Sequence, residues 1–98
     1  MPEPRYLYVL AYDVSDPGRL RKVHKTMTAW GKPLQQSVFR VRSTVRELER
    51  LRFELTRILD ADDRLMVVRL CPGCAARVSV RGKGVEPFET EVVTCRVV

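Results

Sequence analysis

Two acids stand at the junction where an apolar run gives way to a basic segment, and they need separate explanations. The run Tyr6-Leu-Tyr-Val-Leu-Ala-Tyr12 has strand length, and it turns polar at Asp13-Val-Ser-Asp16 before Pro17. Asp16 directly precedes a proline that suits the first helical position, so it is assigned as the N-cap, a job worth about 1 kcal/mol. Asp13 has no such duty. It sits where the strand ends, and an unpaired carboxylate at a strand tip is where a metal or a phosphate-handling site is built. Mg²⁺ or Mn²⁺ is the expected ion, because magnesium keeps several waters and needs only one or two carboxylates plus a substrate phosphate. One aspartate per chain is by itself a poor site. The plainer alternative is an Asx-turn from Asp13 to the backbone ahead.

Beyond Pro17 the chemistry changes sign. Arg19, Arg21, Lys22 and Lys25 follow with no acid between Pro17 and Trp30. Cations near a helix N-terminus oppose the macrodipole, at about 0.3–1 kcal/mol each when exposed. Either the four form a solvated face, or they meet phosphate. The overall charge agrees with the second reading: the chain carries +6, and fourteen of its 18 cations are arginine, the side chain suited to bidentate phosphate contact. A nucleic acid or other polyanion is the favoured partner.

Other reactive types carry weaker signals. Cys71-Pro-Gly-Cys74 has metal-ligand spacing, but zinc needs four ligands and only Cys95 and His24 are left to add. A thioredoxin-like pair opens a helix in a parallel-sheet protein, whereas Pro-Gly reads as a turn. These are turn cysteines, with an incidental metal or redox role as the alternative. His24 lies beside an apolar stripe and reads as a packed or half-exposed residue. Tyr6, Tyr8 and Tyr12 read as core rather than as a stacking platform.

The elements that position these residues follow from periodicity. Tyr6–Tyr12 is apolar throughout, as in a central strand buried on both faces. A first helix over 17–30 has Leu20, Val23, Met27 and Trp30 as its buried face, with Gly31 capping and Pro33 preventing continuation. Residues 32–43 are extended, either one bent strand or a tight strand pair. Thr44 and Glu47 form a capping box for a second helix, whose stripe is Leu48, Leu51, Leu55, Ile58 and Leu59. Mixed charges make that helix structural. Leu65–Cys71 is another two-sided strand, followed by a strand over Arg77–Val80, a Gly82-Lys83-Gly84 turn and a β-rich tail from Thr90 to Val98.

Ninety-eight residues at 45% hydrophobic content make one globular domain, with residues 1–80 as core and 81–98 as a β tail placed at a dimer interface. No apolar run approaches the roughly 20 residues of a membrane span and no signal-peptide core opens the chain, so a cytoplasmic protein without membrane contact is expected. The element order predicts an α+β sandwich, one antiparallel sheet with two helices on one face; with a strand pair in the middle it is the βαββαβ ferredoxin-like arrangement, here with an extra C-terminal β segment.

Tyr12-Asp13-Val14 closing the first strand, the basic helix ending in Trp30-Gly31, Gln36-Ser37-Val38-Phe39, the Leu-rich second helix and the Asp63-led strand resemble the CRISPR-associated protein 2 family over Tyr6 to about Leu70. The resemblance implies a ferredoxin-like homodimer with the first-strand aspartates facing across the interface. It also implies a place in spacer acquisition, bridging integrase subunits and holding duplex DNA. Some members are metal-dependent nucleases on RNA or DNA. Asp13 matches the family's functional aspartate; Ser37 and Phe39 match its motif without a catalytic assignment. Three expectations follow: a DNA-holding adaptation subunit with Asp13 as a conditional metal and catalytic site, a stand-alone metal-dependent endonuclease, and a small regulatory ligand-binding dimer. The acid-free cations of the first helix argue against the last.

Overall fold

The computed structural model describes residues 3–79 and 81. Seven elements follow one another: β1 (Tyr6–Asp13), α1 (Pro17–Trp30), β2 (Lys32–Gln35), β3 (Val38–Ser43), α2 (Val45–Ile58), β4 (Arg64–Leu70) and a single helical turn, α3 (Pro72–Ala75). The strands form one sheet in the order β2-β3-β1-β4, every neighbouring pair antiparallel. This is the expected α+β ferredoxin-like sandwich, and the extended segment resolves into a strand pair turning at Gln36-Ser37.

Side-chain alternation sorts the sheet into two faces. Tyr8, Leu10 and Tyr12 of β1 and Phe39 and Val41 of β3 meet Val23 and Met27 of α1 and Leu48, Leu51 and Leu55 of α2 in one core. Burying each such side chain is worth about 1.5–3 kcal/mol, so this layer holds the sandwich together. The other face is thinner. Leu7 packs with Ala75, flanked by Val9, Leu34, Leu70 and Val78.

That second face corrects the reading of two-sided strands. β1 is central, yet Val9 and Ala11 are only half-buried. β4 has a neighbour only in β1 among the described residues, and its Met66 and Val68 are 57% and 38% exposed. Apolarity reports a side chain's preference, not whether a surface within the same fold covers it.

Three further differences are local. Gly31 does accept the capping role, its N–H donating to Met27 O at 2.8 Å, but in extended backbone rather than the left-handed form. Glycine is required there because a Cβ would lie far inside contact with the Arg40 carbonyl oxygen, where the chain crosses β3. Leu20 is 39% exposed rather than buried. Arg77–Ser79 are not a strand: Arg77 N–H donates to Cys74 O and Val78 N–H to Ala75 O, so the donors a ladder needs are taken up by turns. Val80, the Gly82-Lys83-Gly84 turn, the Thr90–Val98 tail and Cys95 lie outside the described residues.

Candidate active site at the end of the first strand

β1 delivers Asp13 to the rim of the sheet, where its backbone pairs with Arg64 of β4. Val14 immediately behind it is 6% exposed and anchors the chain in the core, so the position of Asp13 is fixed from both sides. The carboxylate itself is exposed, and among the described residues no hydrogen bond or ion pair engages it. An Asx-turn at Asp13 is therefore not observed. Asp16 does the local work instead, its Oδ2 accepting from Arg19 N at 2.9 Å as the N-cap of α1. The two acids three residues apart divide as their positions in the sequence suggest.

Asp13 opens onto a cleft of about 550 Å³ lined by β1 and α1 on one side and the β2–β3 turn on the other. Tyr12, Leu20, Arg21, His24, Gln36 and Ser37 contribute to its walls. Tyr12 is the link to the core: its ring stacks on Phe39 at 6.2 Å between centroids, and its hydroxyl stands 3.2 Å from His24 Nδ1 and donates to Gln36 O at 3.4 Å. Burial pushes the Tyr12 phenol up, which keeps it protonated. His24 also meets the Phe39 ring edge-on at 5.5 Å. Held through Nδ1, the exposed imidazole keeps Nε2 to accept or donate a proton at the cleft.

The four cations of α1 do not behave alike. Arg19 Nε donates to Asp63 Oδ2 at 2.8 Å, its Nη2 donates to Asp63 Oδ1 at 3.3 Å, and its Nη1 lies 3.7 Å from Asp60 Oδ2. Asp63 is the hub of that corner. Its side chain is fully buried, and it also accepts from Asp60 N at 2.9 Å. The Arg19 guanidinium, then the Asp60 amide, hold its carboxyl below the usual carboxylate range. Arg19 is thus turned toward the β4 side of the fold, a role invisible in its neighbours in sequence because Asp63 is 44 residues away. In the sequence Asp63 reads only as the residue that leads the strand Leu65–Cys71. Arg21, Lys22 and Lys25 are exposed, and none forms an ion pair among the described residues. They share a second shallow hollow with His24, Thr28 and Ala29 along the outside of α1. Arg21 and His24 line both hollows, so the basic face runs directly into the cleft beside Asp13.

A divalent cation fits this rim only in part. Among the described residues no group of three or more His, Cys, Asp or Glu could hold a metal. Asp13 offers one hard oxygen donor set with its lone pairs uncommitted, which suits Mg²⁺ or Mn²⁺ once phosphate oxygens or a second carboxylate complete the shell.

Comparison with known proteins bears on the fold and the family. The family model for CRISPR associated protein Cas2 matches residues 6–78. A CRISPR-associated endoribonuclease Cas2 of Nitrosomonas europaea is 41% identical over 69 residues, covering 69% of this chain and 61% of that protein. Another, from Chloroflexus aurantiacus, is 30% identical over 82 residues, covering 82% of this chain and 88% of its own. Among solved structures, a hypothetical protein of Thermus thermophilus superposes with a TM-score of 0.75 at 33% identity, covering 86% of this chain and 99% of that one. Streptococcus pyogenes Cas2 gives a TM-score of 0.69 at 30% identity, with coverage of 78% and 99%.

Proposed function

Because the chain belongs to the CRISPR associated protein Cas2 family, we propose that it is a nucleic-acid-binding homodimer of the CRISPR adaptation machinery, holding duplex DNA between integrase subunits in the cytoplasm. The observation that carries this reading is the continuity of the free cations of α1 with the uncommitted carboxylate of Asp13 across one cleft. Arg21, Lys22 and Lys25 hold phosphates, and a second copy doubles the charge. Affinity arising this way is insensitive to sequence and falls steeply with salt. No helix among the described residues is long and apolar enough to cross a membrane.

A second reading, metal-dependent cleavage of RNA or DNA, is supported by the freedom of Asp13 and by relatives named as endoribonucleases. Bound there, Mg²⁺ or Mn²⁺ would polarise a phosphoryl oxygen and lower the pKa of a water. The chain's own residues do the rest: Asp13 supplies the negative oxygen donor, Arg21 orients the phosphate, and His24 Nε2 can exchange a proton at the cleft.

Two measurements on the same variants separate these readings. Fluorescence anisotropy of one labelled duplex across a salt series reports holding; cleavage of labelled RNA and DNA with and without metal reports chemistry. Asp13→Ala is expected to leave affinity nearly unchanged, and Asp13→Asn to abolish any cleavage, while Asp16→Asn, still an adequate cap, is mild in both. Affinity that requires metal and collapses with Asp13→Ala would overturn the holding role and leave the nuclease. Binding of a small metabolite in the cleft, with no affinity for nucleic acid, would overturn both.

A further inference from the structure

Outside the cleft, the described residues carry a further pair of reactive side chains on a single turn, at the end of β4. The chain leaves the sheet at Leu70 and reverses through α3, which Cys71 opens as N-cap in extended backbone. The Pro-Gly between the cysteines is the first half of this helical turn rather than a bare turn. Cys74 N–H donates to Cys71 Sγ at 3.3 Å, which ties the two residues together across one turn. Both residues are exposed as free thiols. One helical turn sets residues three apart on the same side of the chain, and a disulfide bridges Cα atoms roughly 4.4–6.8 Å apart. The turn is also anchored. Ala75 is 1% exposed against Leu7, and Ala75 N–H donates to Cys71 O at 2.9 Å.

The two sulfurs are not equivalent. Hydrogen bonds from the Cys74 thiol and then the Cys74 amide draw the Cys71 thiol below its ordinary range. The Cys74 thiol is pushed up, first by donating to Cys71 and then by the neighbouring charge there. The thiolate is the nucleophile, so Cys71 reacts first.

We propose that Cys71 and Cys74 form a thiol–disulfide exchange site that takes small disulfides of the glutathione class, with Cys71 as the attacking sulfur and Cys74 as the resolving one. The Cys71 thiolate attacks one sulfur of the disulfide; that S–S bond breaks, one thiolate leaves, and a mixed disulfide remains on Cys71. Cys74 then loses its proton to the departing thiolate and attacks Cys71 Sγ, expelling the second small thiolate, which takes up the proton lost when Cys71 ionised. Two protein thiols are oxidised to one disulfide, and one small disulfide is reduced to two thiols. The product pins the chain reversal that carries Ala75 onto the face of the sheet opposite the helices. The site is independent of Asp13 and of any nucleic-acid role.

The test uses the full chain, freed of metal by chelation, in reduced and oxidised glutathione buffers, quenched with acid and alkylated. Trypsin releases residues 70–77 as one peptide carrying both cysteines, apart from Cys95. The expected result is loss of two hydrogens within that peptide, reversed by reduced glutathione and retained in Cys95→Ser. Cys74→Ser should accumulate glutathione on Cys71. In single-cysteine variants Cys71 should alkylate roughly tenfold faster than Cys74 at neutral pH. Serine is itself a good N-cap, so Cys71→Ser should keep the turn, checked by circular dichroism. Thiols that persist in excess glutathione disulfide, equal alkylation rates, or a bridge to Cys95 would each overturn the proposal.

Discussion

The two long helices lie side by side on the same sheet, are each 14 residues long, and differ in almost everything their surfaces do. α2 is closed by its own chemistry. Its capping box is complete, with Thr44 Oγ1 accepting from Glu47 N at 3.1 Å and Glu47 Oε1 accepting from Thr44 N at 3.0 Å. The Thr44 amide holds the Glu47 carboxyl below its usual range, assisted by Arg5 at 3.2 Å. Glu54 accepts from Trp30 Nε1 at 3.2 Å, stitching α2 to α1. α1 has no acid in its first turn, a single capping carboxylate, and three exposed cations without ion pairs among the described residues. Arg50, Arg52 and Arg57 of α2 form no ion pair among the described residues either, but they alternate with Glu47, Glu49 and Glu54, whereas the cations of α1 have no acid among them along the helix.

The largest effect that bears on this contrast is in the core. Leu55→Ala, at a fully buried position of α2, should cost about 2–5 kcal/mol in denaturant unfolding. Leu20→Ala on α1, where the leucine lines the cleft, should cost well under half of that. Equal losses would mean that α1 is as structural as its neighbour.

Reversing Arg21 and Lys22 to glutamate should do the opposite. Unfolding free energy should change by no more than about 0.5 kcal/mol for each surface position. Duplex affinity should fall, and the slope of log affinity against log salt should flatten by about 0.9 for each phosphate that is no longer neutralised. The same pair of reversals at Arg50 and Arg52 of α2 is the control, and an equal loss of affinity there would erase the distinction between the helices.

A smaller effect concerns the one α1 cation that is committed. The folded-state pKa of Asp63 is depressed, so its pairing with Arg19 contributes stability above the ordinary carboxylate pKa that is lost as pH falls through the folded value. Stability between about pH 5 and pH 2 should therefore be less pH-dependent in Asp63→Asn than in the wild type. Arg19→Gln should destabilise at neutral pH yet barely alter the salt slope. A large change of slope would return Arg19 to the phosphate-binding set.

Much of this is readable from residue order. Periodicity locates both helices, and the stripe Leu48, Leu51, Leu55 with Thr44 and Glu47 before it describes α2 in full, because each of those signals acts within a few residues. The division of labour between Asp13 and Asp16 is legible for the same reason: a cap is a local hydrogen bond, and proline marks where it falls. Placement of the site depends on longer distances. Nothing near Arg19 announces Asp63, and nothing near Tyr12 announces the Gln36 carbonyl that meets its hydroxyl. At Gly31 residue order finds the cap but not the close approach to Arg40, which involves a strand that arrives later in the chain.

Composition, local hydrogen-bonding preference and apolar spacing determine the elements, their caps and the excess of positive charge, since all of these act between residues a few positions apart. Only the tertiary structure decides which cations are free, which strand face is covered, and that the Gln36-Ser37 turn closes a cleft beside Asp13. Those outcomes depend on side chains meeting across the sheet and between helices, where proximity follows topology rather than sequence distance.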